Sequence, residues 1–132
     1  MVVLAGGESR RFGSDKLAAP LAGTTVLDHL LGSLPQEWVV IAVGEERPTP
    51  RALTWTREYP PGGGPLAGIA AGLALVTTDL TAVVAGDMPY AVPGLRTLVD
   101  ALAAAGPDTA AAVAVDDEGH TNPLLAVYRT TA

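Results

Sequence analysis

Apolar residues along this chain fall into short runs separated by glycine- and proline-rich breaks, and the spacing inside each run predicts an alternation of strands and helices. Val2 and Val3 begin a short buried strand that leads straight into a polar loop. Pro20 and Gly23 punctuate a short link. Beyond it Val26, Leu27, Leu30, Leu31 and Leu34 recur at helical spacing, with Thr24 or Thr25 available as the cap. Trp38 to Val43, mostly β-branched and ending at Gly44, has the pattern of a strand buried on both faces. Leu53 to Thr56 predicts another short strand. Leu66 to Val76 predicts a helix with Leu66, Ile69, Ala70, Leu73 and Ala74 on one face, while Gly68 and Gly72, four apart, permit close backbone packing. Leu80 to Ala85 is a further apolar run. Pro93 opens a helix whose buried stripe is Leu95, Leu98, Val99, Leu102 and Ala103, and Gly106-Pro107 closes it. Ala110 to Val115 predicts a strand before a polar turn. The alternation gives an α/β class: a three-layer α/β/α domain around a mainly parallel sheet.

Length and composition narrow the class further. A chain of 132 residues is the size of one domain, able to bury roughly two-thirds of its unfolded surface. Its 48% hydrophobic and 17% charged residues describe a compact globule and argue against disorder. The absence of cysteine excludes disulfides, thiolate metal sites and cysteine nucleophiles. A metal would therefore be held through oxygen or histidine, and oxygen ligands favour magnesium or a similar hard cation. No apolar run reaches the length of a membrane span and the first residues lack a signal-peptide pattern, so a soluble cytoplasmic protein is expected. A net charge of -6 disfavours a nucleic-acid surface.

Against that acidic background, the loop Leu4 to Lys16, LAGGESRRFGSDK, holds Arg10, Arg11 and Lys16, three of the chain's eight basic residues. Gly6 and Gly7 let the backbone turn and present consecutive N–H groups to an anion, an outline that suits a polyphosphate. The lysine spacing is not that of a P-loop, and Gly6, Gly7 and Gly13 do not form a dinucleotide fingerprint. A plain surface loop is the alternative. Tyr59 to Pro65, YPPGGGP, feeds the Leu66 helix and is either a second anion or base-edge site or a simple turn. Asp87, in Gly86-Asp87-Met88-Pro89, follows a strand and is either a metal ligand pointing into the crevice or an Asx turn. His29 reads as a surface or half-buried imidazole. Asp116, Asp117 and Glu118 read as a solvated turn.

The pattern LAGG-x-S-x-R-x-G-x-D-K after a first strand resembles the signature loop of the MobA-like nucleotidyltransferases, the molybdenum cofactor guanylyltransferase family. GGPLAGI is similar to that family's guanine-pocket segment, GDMP to its magnesium-binding segment, and Asn122-Pro123-Leu124 to its His/Asn-Pro-Leu segment. The resemblance covers nearly the whole chain and implies one nucleotidyltransferase domain over residues 1–132, of the Rossmann-like nucleotide-diphospho-sugar transferase fold. It also implies an antiparallel strand near Leu124 to Tyr128. The implied activity is magnesium-dependent transfer of GMP from GTP to molybdopterin, with pyrophosphate released. Leu4, Ala5, Gly6, Gly7, Ser9 and Lys16 would bind the nucleotide, with Gly64, Pro65 and Leu66 at the base. Glu58 stands near the position where relatives carry an Asp that reads the guanine edge. Lys16, Arg11 and Asp87 would be catalytic: Lys16 at the α-phosphate, Arg11 with Arg10 at the leaving pyrophosphate, and Asp87 on Mg2+. Asn122 would face the acceptor. The alternatives are cytidylyl or other nucleotidyl transfer to molybdopterin or another phosphorylated small molecule, and a nucleotide-binding module without turnover. Family members continue for a further third, including a late Asp or Asn segment. A truncated or partly recorded chain, an impaired activity, and a site completed by a partner subunit are the three corresponding expectations.

Overall fold

The structure is a computed structural model and describes residues 1–5, 20–21, 23–58 and 64–130. The first strand, β1 (Val2–Leu4), lies in the middle of a six-stranded sheet. Two strands of two residues each, β2 (Pro20–Leu21) and β3 (Thr24–Thr25), pair antiparallel around Gly23, whose φ of 82° a glycine adopts without strain. The expected link is thus a small ribbon. It delivers the chain to α1 (Val26–Ser33), where the Thr25 hydroxyl accepts from the Asp28 amide at 3.1 Å. Then follow β4 (Ile41–Val43), β5 (Thr54–Thr56), α2 (Pro65–Leu73), β6 (Leu80–Ala85), α3 (Val92–Ala105), β7 (Ala111–Val115) and β8 (Thr121–Arg129).

The strand order is β5-β4-β1-β6-β8-β7. Neighbours from β5 to β6 pair parallel, and β8 runs antiparallel to both β6 and β7. Helices cover both faces. On one face Leu27, Leu30 and Leu31 of α1 and Leu95 and Leu102 of α3 pack on Val3, Ala42, Val84 and Val127. Each such leucine, fully withdrawn from water, contributes about 1.5–3 kcal/mol before the entropy of ordering is subtracted. On the other face α2 lies against Val2, Val43 and Val83. This is the three-layer, mostly parallel α/β/α arrangement that the alternation of runs predicts.

The face that α2 buries matches the expected one in part: Ile69 and Leu73 pack on the sheet and the two glycines approach it closely, but the other three apolar positions do not. Leu66 is 79% exposed and Ala70 and Ala74 are exposed, whereas Gly68 and Gly72 are buried. A Cβ at Gly72 would stand 2.5 Å from one Val2 methyl carbon and 3.2 Å from a Val43 methyl carbon, so the helix reaches the sheet through its glycines. In α3, Leu95 and Leu102 are buried as expected, but Ala103, at the margin of the stripe, is exposed.

Strand limits shift for identifiable reasons. β4 is shorter than Trp38 to Val43 because the Trp38 amide closes a turn onto the Pro35 carbonyl at 3.1 Å. β8 is longer than expected despite Pro123. Its register with β7 jumps between Val113↔Ala126 and Ala114↔Asn122, so the proline falls in an irregularity that needs no ladder donor.

At the amino ends of the parallel strands, two arginines close helix termini. Arg51 donates to the carbonyls of Leu34, Pro35, Gln36 and Trp38, beyond α1, with the last bond at 2.7 Å. Arg129 donates to those of Leu102, Gly106 and Thr109 around the end of α3, at 3.2, 3.1 and 2.8 Å. Arg129 thereby places a cation at the carbonyl end of α3, and Arg51 places one on the segment that leaves α1.

Candidate functional site

Because β5, β4, β1 and β6 run the same way, their carboxyl ends form one rim. The ladder continues to that rim: the Ala5 amide donates to Val43 O, Gly44 to Thr56 O and Gly86 to Leu4 O, each at 2.8 Å. Leu4 and Ala5 are therefore held rigidly where the polar loop departs, and Ala5 is fully buried. Glu58 follows β5 by two residues and is half-buried. Asp87 follows β6 by two residues and is exposed. Asn122 reaches the same end because β8 enters the sheet there, running down beside β6. The topology thus aligns Glu58, Ala5, Asp87 and Asn122 in the order of the strands that carry them.

Helix α2 starts at this end. Its N-cap, Gly64, has φ 90° and makes no side-chain capping bond, and Pro65 and Leu66 follow it at the exposed tip. An uncapped helix N-terminus presents partial positive charge and free N–H donors, suited to phosphate or to the acceptor edge of a base.

The Asp87 carboxylate has no hydrogen-bond or ion-pair partner among the described residues. The turn around it is closed by backbone instead, Met88 N donating to Ala85 O at 3.1 Å, so the Asx-turn alternative finds no bond there. The carboxylate fits a hard cation. Magnesium keeps most of its waters and takes its remaining oxygens from one or two carboxylates and the substrate's phosphates. A site of that kind needs no larger protein cluster, and among the described residues no group of three His, Cys, Asp or Glu side chains is placed to hold a metal.

Gly6, Gly7, Ser9, Arg10, Arg11 and Lys16 lie outside the described residues, as do residues 59–63. Asp116 heads a turn: its Oδ1 accepts from the amides of Glu118 and His120, both at 2.9 Å, in keeping with the expected solvated turn. These bonds, the His120 amide first, hold the exposed Asp116 carboxyl below its ordinary range. Asn122 uses its Oδ1 to accept from the Leu124 amide at 3.0 Å, which leaves its NH2 group available as a donor. An apolar cavity of about 320 Å³ lies at the opposite, amino end of the sheet, lined by Met1, Trp38, Ile41, Leu75 and Leu80 among others. No candidate residue borders it. One pair at the rim carries no sequence signal: His29, half-buried on α1, meets Tyr90 edge to face with ring centroids 5.1 Å apart.

Known proteins share this architecture. A family model described as the MobA-like NTP transferase domain matches residues 1–132. The chain is 41% identical over 138 residues to a protein of Mycobacterium tuberculosis named "Probable molybdenum cofactor guanylyltransferase", covering 98% of this chain and 67% of that one. A Mycobacterium marinum protein of the same name is 38% identical over 139 residues, with the same coverage. Among solved structures, molybdopterin-guanine dinucleotide biosynthesis protein A of Archaeoglobus fulgidus superposes with a TM-score of 0.73 at 26% identity, over 98% of this chain and 67% of that one. The 2-C-methyl-D-erythritol 4-phosphate cytidylyltransferase of Thermus thermophilus, at 18% identity and a TM-score of 0.64 over 98% of this chain and 70% of that one, shares the fold. Fold and relatives define a nucleotidyltransferase built on a Rossmann-like sheet. The chain spans about two-thirds of the length of these relatives. It belongs to the MobA-like NTP transferase family.

Proposed function

We propose that the domain transfers GMP from GTP to the terminal phosphate of molybdopterin with the help of magnesium, as a soluble cytoplasmic enzyme that engages neither membrane nor nucleic acid. The observation that carries this reading is Asp87, an exposed carboxylate without a partner among the described residues. It stands on the strand-end rim beside the Ala5 backbone, in the same row as Asn122. An oxygen of the acceptor phosphate attacks the α-phosphorus of GTP. The bond from that phosphorus to the bridging oxygen breaks, and pyrophosphate leaves with the electron pair. No covalent nucleophile from the protein is required, so positioning and charge neutralisation are the main contributions.

In this reading Leu4 to Gly7 and Ser9 fix the nucleotide and Lys16 stabilises charge at the α-phosphate. Arg11, with Arg10, receives the pyrophosphate. Gly64, Pro65 and Leu66 receive the base, and Glu58 accepts from the guanine edge. Asp87 would hold the magnesium ion, and bound there the ion supplies Lewis-acid polarisation of the phosphates. Asn122 donates to the acceptor. Thermal shifts with magnesium and each of GTP, CTP, ATP and UTP, for the native protein and Asp87→Ala, test the assignment. Ligand at a hundred times its Kd adds about 2.7 kcal/mol, a rise on the order of 10 °C for a domain of this size. A GTP-specific shift lost in Asp87→Ala, accompanied by pyrophosphate release when acceptor is added, is expected. A CTP-specific shift would transfer the reading to cytidylyl transfer, binding without pyrophosphate release would leave a nucleotide-binding module, and no shift at all would overturn the proposal.

A further inference from the structure

Tyr90 is the one large aromatic side chain among the described residues that is mostly in solvent, 67% exposed, and it stands at the functional end of the sheet. Asp87 and Tyr90 occupy two successive backbone turns that share Met88, one closed by Met88 N to Ala85 O at 3.1 Å and the next by Ala91 N to Met88 O at 3.3 Å. Three residues separate the two side chains' backbones by at most about 11 Å. A lone exposed aromatic ring has no need of fixed orientation. This one is fixed: His29, projecting from the first half of α1, meets it at an interplanar angle of 69° with centroids 5.1 Å apart. Such an edge contact holds a ring in place while leaving its remaining surface open.

The position of the pair matters as much as its geometry. Its histidine comes from α1 and its tyrosine stands two residues before α3, and these two helices pack on one face of the sheet. The uncapped terminus of α2 and exposed Leu66 belong to the opposite face. Asp87 lies on the rim between the two. A nucleotide held on the α2 side therefore leaves the α1/α3 side of the same carboxylate for a second substrate, and the group that meets it there is an oriented, open aromatic face.

Resting on the guanylyl-transfer reading, we infer that Tyr90, oriented by His29, is the platform on which the flat heteroaromatic head of the acceptor stacks. Stacking recognises the π-face of the ring system and not its hydrogen-bonding edge. It would hold a planar pterin while the acceptor's phosphate reaches the rim.

The probe is pterin-6-carboxylate, whose own fluorescence reports stacking, titrated into the native protein, Tyr90→Ala, Tyr90→Phe and His29→Ala in the presence of magnesium and GTP. Native protein and Tyr90→Phe are expected to quench the pterin with similar affinity. Tyr90→Ala should lose about tenfold in affinity, within the range measured for stacking on an aromatic residue. His29→Ala should fall between, because the ring stays but is no longer held. The GTP thermal shift, read on the same samples, should be equal in all four proteins. Native protein that binds no pterin, or Tyr90→Ala that binds as native does, overturns the platform. Loss in Tyr90→Phe equal to that in Tyr90→Ala overturns stacking in favour of the hydroxyl. If the GTP shift is present while pterin affinity ignores Tyr90, the platform fails and guanylyl transfer stands. If no GTP shift occurs yet pterin binding depends on Tyr90, guanylyl transfer fails and the platform stands.

Discussion

The two ends of the parallel strands treat their polar groups in opposite ways. At the amino end, Arg51 and Arg129 are turned onto the chain's own carbonyls, four around the end of α1 and three around the end of α3. At the carboxyl end, the Asp87 carboxylate finds no partner among the described residues and the α2 terminus has no side-chain cap. A group committed to its own backbone stabilises the fold and is closed to ligands. A group left open contributes little to stability and is available for binding. On the reading proposed above, the contrast separates scaffold from site.

Opposite substitutions test that separation, and the largest effect is expected at the open end. With Asp87 in its proposed role, Asp87→Asn should lower nucleotidyl transfer by at least about a hundredfold, because a metal ion held there would supply several kcal/mol of charge stabilisation. Its melting temperature should match that of the native protein, since no bond among the described residues is lost. Arg129→Ala should do the reverse. Three backbone carbonyls lose a charged donor, a cost of about 2–3 kcal/mol, while the magnesium-GTP affinity of the remaining folded protein should not change. Paired calorimetry and turnover measurements on both variants check this. Asp87→Asn that melts early, or Arg129→Ala that folds normally but fails to bind, would dissolve the distinction between the ends.

Gly72→Ala is the substitution that should join them. Val2, fully buried and β-branched, cannot move its methyl groups away from a new Cβ at 2.5 Å, so α2 must shift outward. The cost should be about 1–3 kcal/mol, typical of overpacking. The same helix carries Gly64, Pro65 and Leu66 at its other end, so nucleotide affinity should weaken along with stability. A measured loss of stability with unaltered nucleotide affinity would show that the tip of α2 is positioned independently of its glycine face.

Much of this was legible in the sequence because apolar periodicity reports burial directly. Leu27, Leu30, Leu31, Leu95 and Leu102 could be read as core from spacing alone, and the run from Leu80 to Ala85 coincides with β6. On α2 the close approach of Gly68 and Gly72 and the packing of Ile69 and Leu73 follow the sequence pattern, whereas Leu66, Ala70 and Ala74 are exposed because the glycines, and not the larger residues beside them, set which side meets Leu4 and Val43. At the site, Asp87, Gly64 and Asn122 were visible as motif positions. Their placement along one rim follows from strand direction, which periodicity does not give. The arginine clamps were invisible, since Arg51 and Arg129 act on carbonyls 13 to 27 residues distant in sequence. Nor does any local pattern announce that His29 and Tyr90 will meet, 61 positions apart on different elements.

The smallest effect should come from another carboxylate placed at the open end. Asp116, unlike Asp87, is committed: the amides of His120 and Glu118 donate to it, and its carboxyl is held below the ordinary value of 3.8. A carboxyl whose pKa is depressed by folding stabilises the native state above its unfolded value, and that contribution disappears as the pH falls through the folded one. The group is fully exposed, so the increment is small. Native protein and Asp116→Ala should therefore differ slightly in melting temperature near neutral pH, and the difference should shrink only below about pH 4, where the carboxylate takes up its proton. Nucleotide affinity should be the same in both. Melting curves recorded across that range decide the matter: a difference that stays constant as Asp116 protonates would mean that the turn, and not the charge, supplies the stabilisation. Closure of the gap on acidification would show that the Asp116 charge, already claimed by backbone amides, supplies stability at the end of the sheet where the Asp87 carboxylate is left open.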